Sequence, residues 1–194
     1  MLHEQSDAQL TQRFAWGGIL TVVTVASTLA VSCGTPFAAL ATLAALFLPR
    51  RDAFVLIAVN WLANQAIGFG LLHYPLNWAS YQTGFSLGIA ALLSTLAAML
   101  AQRALRNAAA VMRTFGSFGV AFVSYEAAFF LLSPVGNGAD FGASVVLYIL
   151  YVNAIALAAL LLLQTSATAL GLISSRGPIR YSAAVPRGDA GDRP

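Results

Sequence analysis

The chain has 194 residues, of which 59% are hydrophobic and 9% charged, and its mean hydropathy is +0.77. A soluble domain carries about 25% charged residues, so these values exclude an ordinary water-soluble fold and point to a multi-pass membrane protein in a lipid bilayer. The net charge is +3, every basic residue is Arg, and no basic stripe with interleaved aromatics occurs, which excludes nucleic acid as a partner.

The polar N-terminal residues 1–13 are expected on the cytoplasmic side. The apolar run after them is too long for a signal peptide, so it is expected to stay as a first span over 14–32. Cys33-Gly34-Thr35-Pro36 breaks the chain, and Pro36 is suited to open a helix. A second segment over 36–48 is short, either a span in a thinned region or a re-entrant helix. Pro49-Arg50-Arg51-Asp52 reads as a charged turn. A third segment follows over 53–72, then the loop His73-Tyr74-Pro75-Leu76-Asn77-Trp78, and a fourth segment over 81–101. A basic connection from Gln102 to Arg113 is expected to be helical. A fifth segment spans 114–132, the Gly- and Pro-bearing loop 133–139 turns the chain, and a sixth spans 140–164 with Asp140 as N-cap. The tail from 174 to 194 is polar, with Gly, Pro and Arg, and is expected to be disordered and cytoplasmic. The fold class is therefore all-α: a six-transmembrane-helix bundle over 14–173 with a short second helix.

Arginine placement predicts the orientation. Arg13, the Arg50/Arg51 pair, the group Arg103, Arg106 and Arg113, and the tail arginines fall at alternate ends. The connections after segments one, three and five hold no Lys or Arg. Both termini are then inside, in an inner (cytoplasmic) membrane.

In that orientation the polar residues of the spans gather in the outer half. Asn60 and Asn64 are one helical turn apart, with Gly68 continuing the stripe, and Trp61 and Gln65 form the stripe beside them. Glu126, next to Tyr125, is an acid inside a span. Such a group is costly there and usually faces the interior. Tyr148, Tyr151 and Asn153 occupy the sixth segment, and Trp78 the outer boundary. Two readings stand for this set: the wall of a ligand cavity, or hydrogen-bonding glue between helices. For Trp78, Tyr74 and Tyr81 the alternative is an interfacial aromatic belt. Cys33 and His73 on the outer face are candidate metal ligands, against the plainer reading of a small packing thiol and a loop imidazole.

Small residues recur at helical spacing. Ala38, Ala41, Thr42 and Ala45 give the second segment a small face, and Gly84 and Gly88 give the fourth a small-xxx-small pair. Such faces favour close helix packing within the chain or with a partner. No HExxH, GxSxG or phosphate-loop motif and no acidic pair occurs, so neither an enzyme nor a cofactor is expected.

The stretch Thr35-Pro36-Phe37-Ala38-Ala39-Leu40 through Leu46-Phe47-Leu48-Pro49-Arg50-Arg51 resembles the Pro-initiated, Leu/Ala-rich hairpin near the start of biotin-type substrate-binding (S) subunits of energy-coupling-factor vitamin transporters. The resemblance covers about thirty residues of the chain. It implies six helices, a vitamin-like small-molecule substrate bound near the outer face, and a transmembrane coupling subunit with ATPases as partner. It also implies that Ala38/Thr42 or Ala41/Ala45 meets that partner. No signature for biotin, thiamine, riboflavin or folate is matched. Cys33 makes a corrinoid ligand conceivable, because solitary cobalamin-type members place a thiol near cobalt. The expected function is membrane uptake of a small molecule. The alternative is a non-transporting subunit or assembly factor that docks other transmembrane helices.

Overall fold

A computed structural model describes residues 17–22, 35–132 and 142–170. Cys33, the loop 133–139, Asp140 and the tail lie outside the described residues. Among those described the protein is helical with no strand. The helices are α1 (17–22), α2 (Phe37–Phe47), α3 (Arg50–Gly70), α4 (Trp78–Ala104), α5 (Ala110–Leu132) and α6 (Ala143–Ala169). Four of them, α3 to α6, are long and apolar enough to cross a membrane.

The second helix differs from the other described helices after α1. Its 11 residues rise only about 16 Å, half the hydrocarbon thickness of about 30 Å. It therefore lacks the length of a full span. Pro36 stands at its N-cap. Pro49 ends it, because a proline ring disfavours the α conformation in the residue before it. Leu48 is accordingly extended, at φ −110 and ψ 149. Pro49 is in turn the N-cap of α3, so the expected charged turn is instead the first turn of α3. Asp52 there sits favourably at the positive end of the helix.

At its far end α3 stops where the N–H groups of Leu71 and Leu72 both donate to Ile67 O. His73 takes a left-handed φ of 54, which turns the chain back so that Tyr74 N–H reaches Gly68 O at 3.0 Å. The Tyr74 ring then covers Gly68, where a Cβ would meet Cε2 at 2.7 Å. Asn77 caps α4, its Oδ1 accepting from Ser80 N–H at 2.9 Å. The connection between α4 and α5 is not continuous helix as expected. It breaks over 105–109, because α4 and α5 pack antiparallel and the chain must reverse. Ser86 Oγ donates to Leu132 O, Ser94 Oγ to Ala121 O, and Gln102 Nε2 to Ser117 Oγ, a ladder that runs up one helix and down the other. The N-cap of α6 is Gly142.

The long helices α3, α4 and α5 pack side by side, with α4 between its neighbours. The short α2 lies against all three, and α6 packs chiefly on α2. Residues Phe37 to Ala44 are accordingly buried without a break. A helix that is apolar all round belongs in such a position. The small face of α2 is thus enclosed by this chain's own helices. Ala38, Ala41 and Thr42 are fully buried among these helices, while Ala45 is half-buried.

Candidate functional site

Polar side chains from several helices converge where α2 begins. By the 1.5 Å rise, Asn64 lies about 9 Å from the end of α3, Tyr125 about 10 Å from the end of α5, and Asn153 about 15 Å into α6. The first residues of α2 therefore lie inside the bundle, not at its surface. A helix starts with backbone N–H groups that its own turns cannot satisfy. Asn153 meets this need: its Oδ1 accepts from Ala39 N–H at 3.2 Å while its Nδ2 donates to Ile149 O at 3.0 Å.

The α3 amides are also engaged. Asn64 Nδ2 donates to Thr35 Oγ1 at 2.5 Å, just ahead of α2. Asn60 Nδ2 donates to Leu56 O at 2.9 Å and to Thr21 Oγ1 of α1 at 3.3 Å, leaving its Oδ1 buried without a partner. The neighbouring stripe faces α4. Trp61 Nε1 donates to Gly84 O at 2.8 Å, its indole covers Gly88, and Gln65 covers Gly84. A Cβ on Gly88 would lie 2.7 Å from the Trp61 ring. The two glycines are therefore the seat of two large side chains, and small-xxx-small packing operates here within the chain. Gln65 Nε2 reaches Asn64 Oδ1 at 3.4 Å, joining the two stripes.

Tyr125 and Glu126 are brought to the same region from α5. Tyr125 is buried, with its ring 6.1 Å from Phe37 at the first turn of α2 and stacked on Phe129 at 6.4 Å. Glu126 is 9% exposed, and both of its carboxylate oxygens are buried with no hydrogen-bond partner. Buried polar groups are nearly always partnered, so this one marks a missing partner.

The other expected residues lie elsewhere. Tyr148 and Tyr151 are exposed on α6, Trp78 is 79% exposed at the start of α4, and His73 is exposed in the turn. None of the four joins the cluster around α2. Trp78 and Tyr74, at the ends of apolar helices, suit an aromatic belt. Cys33 lies outside the described residues, and among the described residues no three His, Cys, Asp or Glu side chains group as a metal site.

The expectation that polar side chains gather at one end only is corrected. At the end bearing Arg103 and Arg113, Gln102 Nε2 donates to Ser117 Oγ at 2.7 Å and to Arg113 O at 3.3 Å. Gln164 is buried on α6 with Oε1 unpartnered. Ser94, Thr95 and Ser117 are fully buried. Sequence reasoning missed them because Ser and Thr in apolar helices usually bond their own backbone. Thr95 does so, while Ser94 crosses to α5. No protein-family model, no curated protein and no solved structure matches this chain.

Proposed function

We propose that this multi-pass membrane protein binds a small molecule beside the buried start of α2 and takes it up across the membrane. The observation that supports the reading is Glu126: a buried carboxylate without a partner, one residue from the tyrosine that packs on the first turn of α2. Half-length helices that begin inside a bundle are where membrane transporters form their binding sites, because irregular backbone at that depth must line a cavity or be covered by protein. The arginine distribution supports an outer-half position for this site in an inner membrane, with the ends of the chain inside. Under the resemblance to energy-coupling-factor S subunits, the ligand is vitamin-like and a coupling subunit with ATPases drives its release.

Native mass spectrometry of mildly solubilised protein tests this reading. The expected result is a fraction of the protein carrying a small non-covalent adduct that is lost on denaturation. Protein that retains no small molecule, from its own cells or from a metabolite extract, would sink the uptake reading.

A second reading has its own support. Asn60 with Thr21, Asn64 with Thr35 and Asn153 with Ala39 pair off between chain segments, as structural glue does. The helix α6 is the least buried of the four long helices. A non-transporting subunit that docks further helices would carry a protein chain, and no small molecule, in the same measurement.

A further inference from the structure

Glu126 lacks a partner in either protonation state. As a carboxylate it calls for donors or a cation, and as an acid it has one proton to donate. Neither oxygen has a hydrogen-bond partner. The described cations are remote. Arg113 lies about 20 Å away along α5. Arg50, Arg51, Arg103 and Arg106 share its end of the bundle, since α3 and α5 both run antiparallel to α4. The helices α2 and α6 contain no Lys or Arg. As a carboxylate, Glu126 would be matched by a positively charged group, and this part of the chain does not supply one.

The surroundings narrow its chemistry. On a helix, positions three and four residues apart share a face. Around Glu126 these hold Phe122, Phe129 and Phe130. Phe122 is buried, whereas Phe130 is 46% exposed and Val123 66% exposed. Glu126 thus sits at the border between the packed face of α5 and its outer, apolar face. An inorganic cation needs several oxygen ligands, and no second acid lies in α5 or anywhere in α2, α4 or α6. An ammonium group with hydrocarbon substituents needs one anion and apolar walls, and it is attracted to aromatic faces.

We propose that Glu126 anchors an organic ammonium ion, its charge paired with the carboxylate and its apolar part against Phe122, Phe129 and Phe130. This rests on the small-molecule reading above and names the ligand class. The half-exposed Phe130 and exposed Val123 give a lipophilic amine a route along the outer face of α5.

Dicyclohexylcarbodiimide, a lipophilic reagent that adds to carboxyl groups in apolar surroundings, tests the assignment on full-length protein in detergent. The expected result is one adduct on Glu126 that is absent from Glu126→Gln. Phenethylammonium, choline and tetrapropylammonium chlorides are titrated against it, with sodium chloride and neutral phenethyl alcohol as controls. At least one ammonium ion should slow the modification, by about tenfold when it stands near ten times its Kd, and neither control should. In Phe122→Leu and Phe130→Leu the adduct should still form and the protection should weaken. Equal protection by sodium chloride or by phenethyl alcohol overturns the assignment, as does an unreactive Glu126 or the failure of every ammonium ion to protect. A neutral or anionic molecule that native mass spectrometry finds on both the parent and Glu126→Gln would overturn the ammonium assignment while leaving small-molecule binding intact.

Discussion

Two buried polar residues near the start of α2 should respond in opposite ways to the same substitution. Asn153 is fully used: it accepts from Ala39 N–H and donates to Ile149 O. In Asn153→Leu the Ala39 N–H is left buried with no acceptor, which costs about 1–3 kcal/mol. The expected outcome is a lower midpoint of thermal unfolding in detergent, together with lower abundance. Glu126 has no partner to lose. Glu126→Leu removes an unsatisfied polar group from an apolar setting, worth about 1–3 kcal/mol on the same mutational scale, so its midpoint should rise. If Glu126→Leu falls as far as Asn153→Leu, the carboxylate holds a structural bond and is not a ligand anchor. The sequence showed that both residues were unusual inside a span. Their difference lies in which neighbour each meets, and sequence spacing does not carry that.

Among the elements, α3 and α4 show most clearly how much a stripe reveals. Trp61/Gln65 and Gly84/Gly88 are each one turn apart, and both pairs are readable as stripes. That one seats on the other depends on the antiparallel register of the two helices. Gly88→Leu would force its side chain into the Trp61 indole, since a Cβ there already lies 2.7 Å from the ring. Overpacking of this kind costs about 1–3 kcal/mol. The double variant Gly88→Leu with Trp61→Ala should recover part of the loss, a coupling that thermal unfolding of the four proteins in one cycle measures. Purely additive losses would mean that the indole is not what limits position 88. Gly84→Ala should be milder, because it meets the flexible end of Gln65. The short α2 is a different case. Its prolines and its length were legible in the sequence. Its enclosure by four helices was not, because an Ala-rich apolar helix reads the same whether neighbours or lipid surround it.

At the scale of the molecule, α4 is 27 residues long, about 40 Å, so as a span it would carry its two connecting loops to opposite sides of a bilayer of about 30 Å hydrocarbon thickness. Single cysteines placed by Leu76→Cys and Asn107→Cys, in a Cys33→Ala background, test this in intact cells. Leu76 is 75% exposed in its loop, and Asn107 is exposed in the other. A membrane-impermeant maleimide should label the first directly and the second only after permeabilisation. Labelling in the reverse order would invert the orientation and place Glu126 in the inner half. Labelling of both from one side would contradict α4 as a span.

The sequence by itself determined the solvent of this protein. Low charge, high hydropathy and helix-length apolar runs leave few ways to satisfy backbone hydrogen bonds in lipid, and α3 to α6 follow from that constraint. It also marked the ends of α2, because proline acts on its immediate neighbours through local sterics alone. Tertiary structure decided everything that depends on which faces meet. It turned Asn60, Asn64 and Asn153 into partners of Thr21, Thr35 and Ala39, and turned Tyr148 and Tyr151 outward. It moved α2 from a candidate span to the centre of the bundle. It also left Glu126 as a buried acid without a bond. The physical reason is that lipid and protein interiors are equally apolar, so hydropathy fixes which segments leave water but not which of their sides face one another.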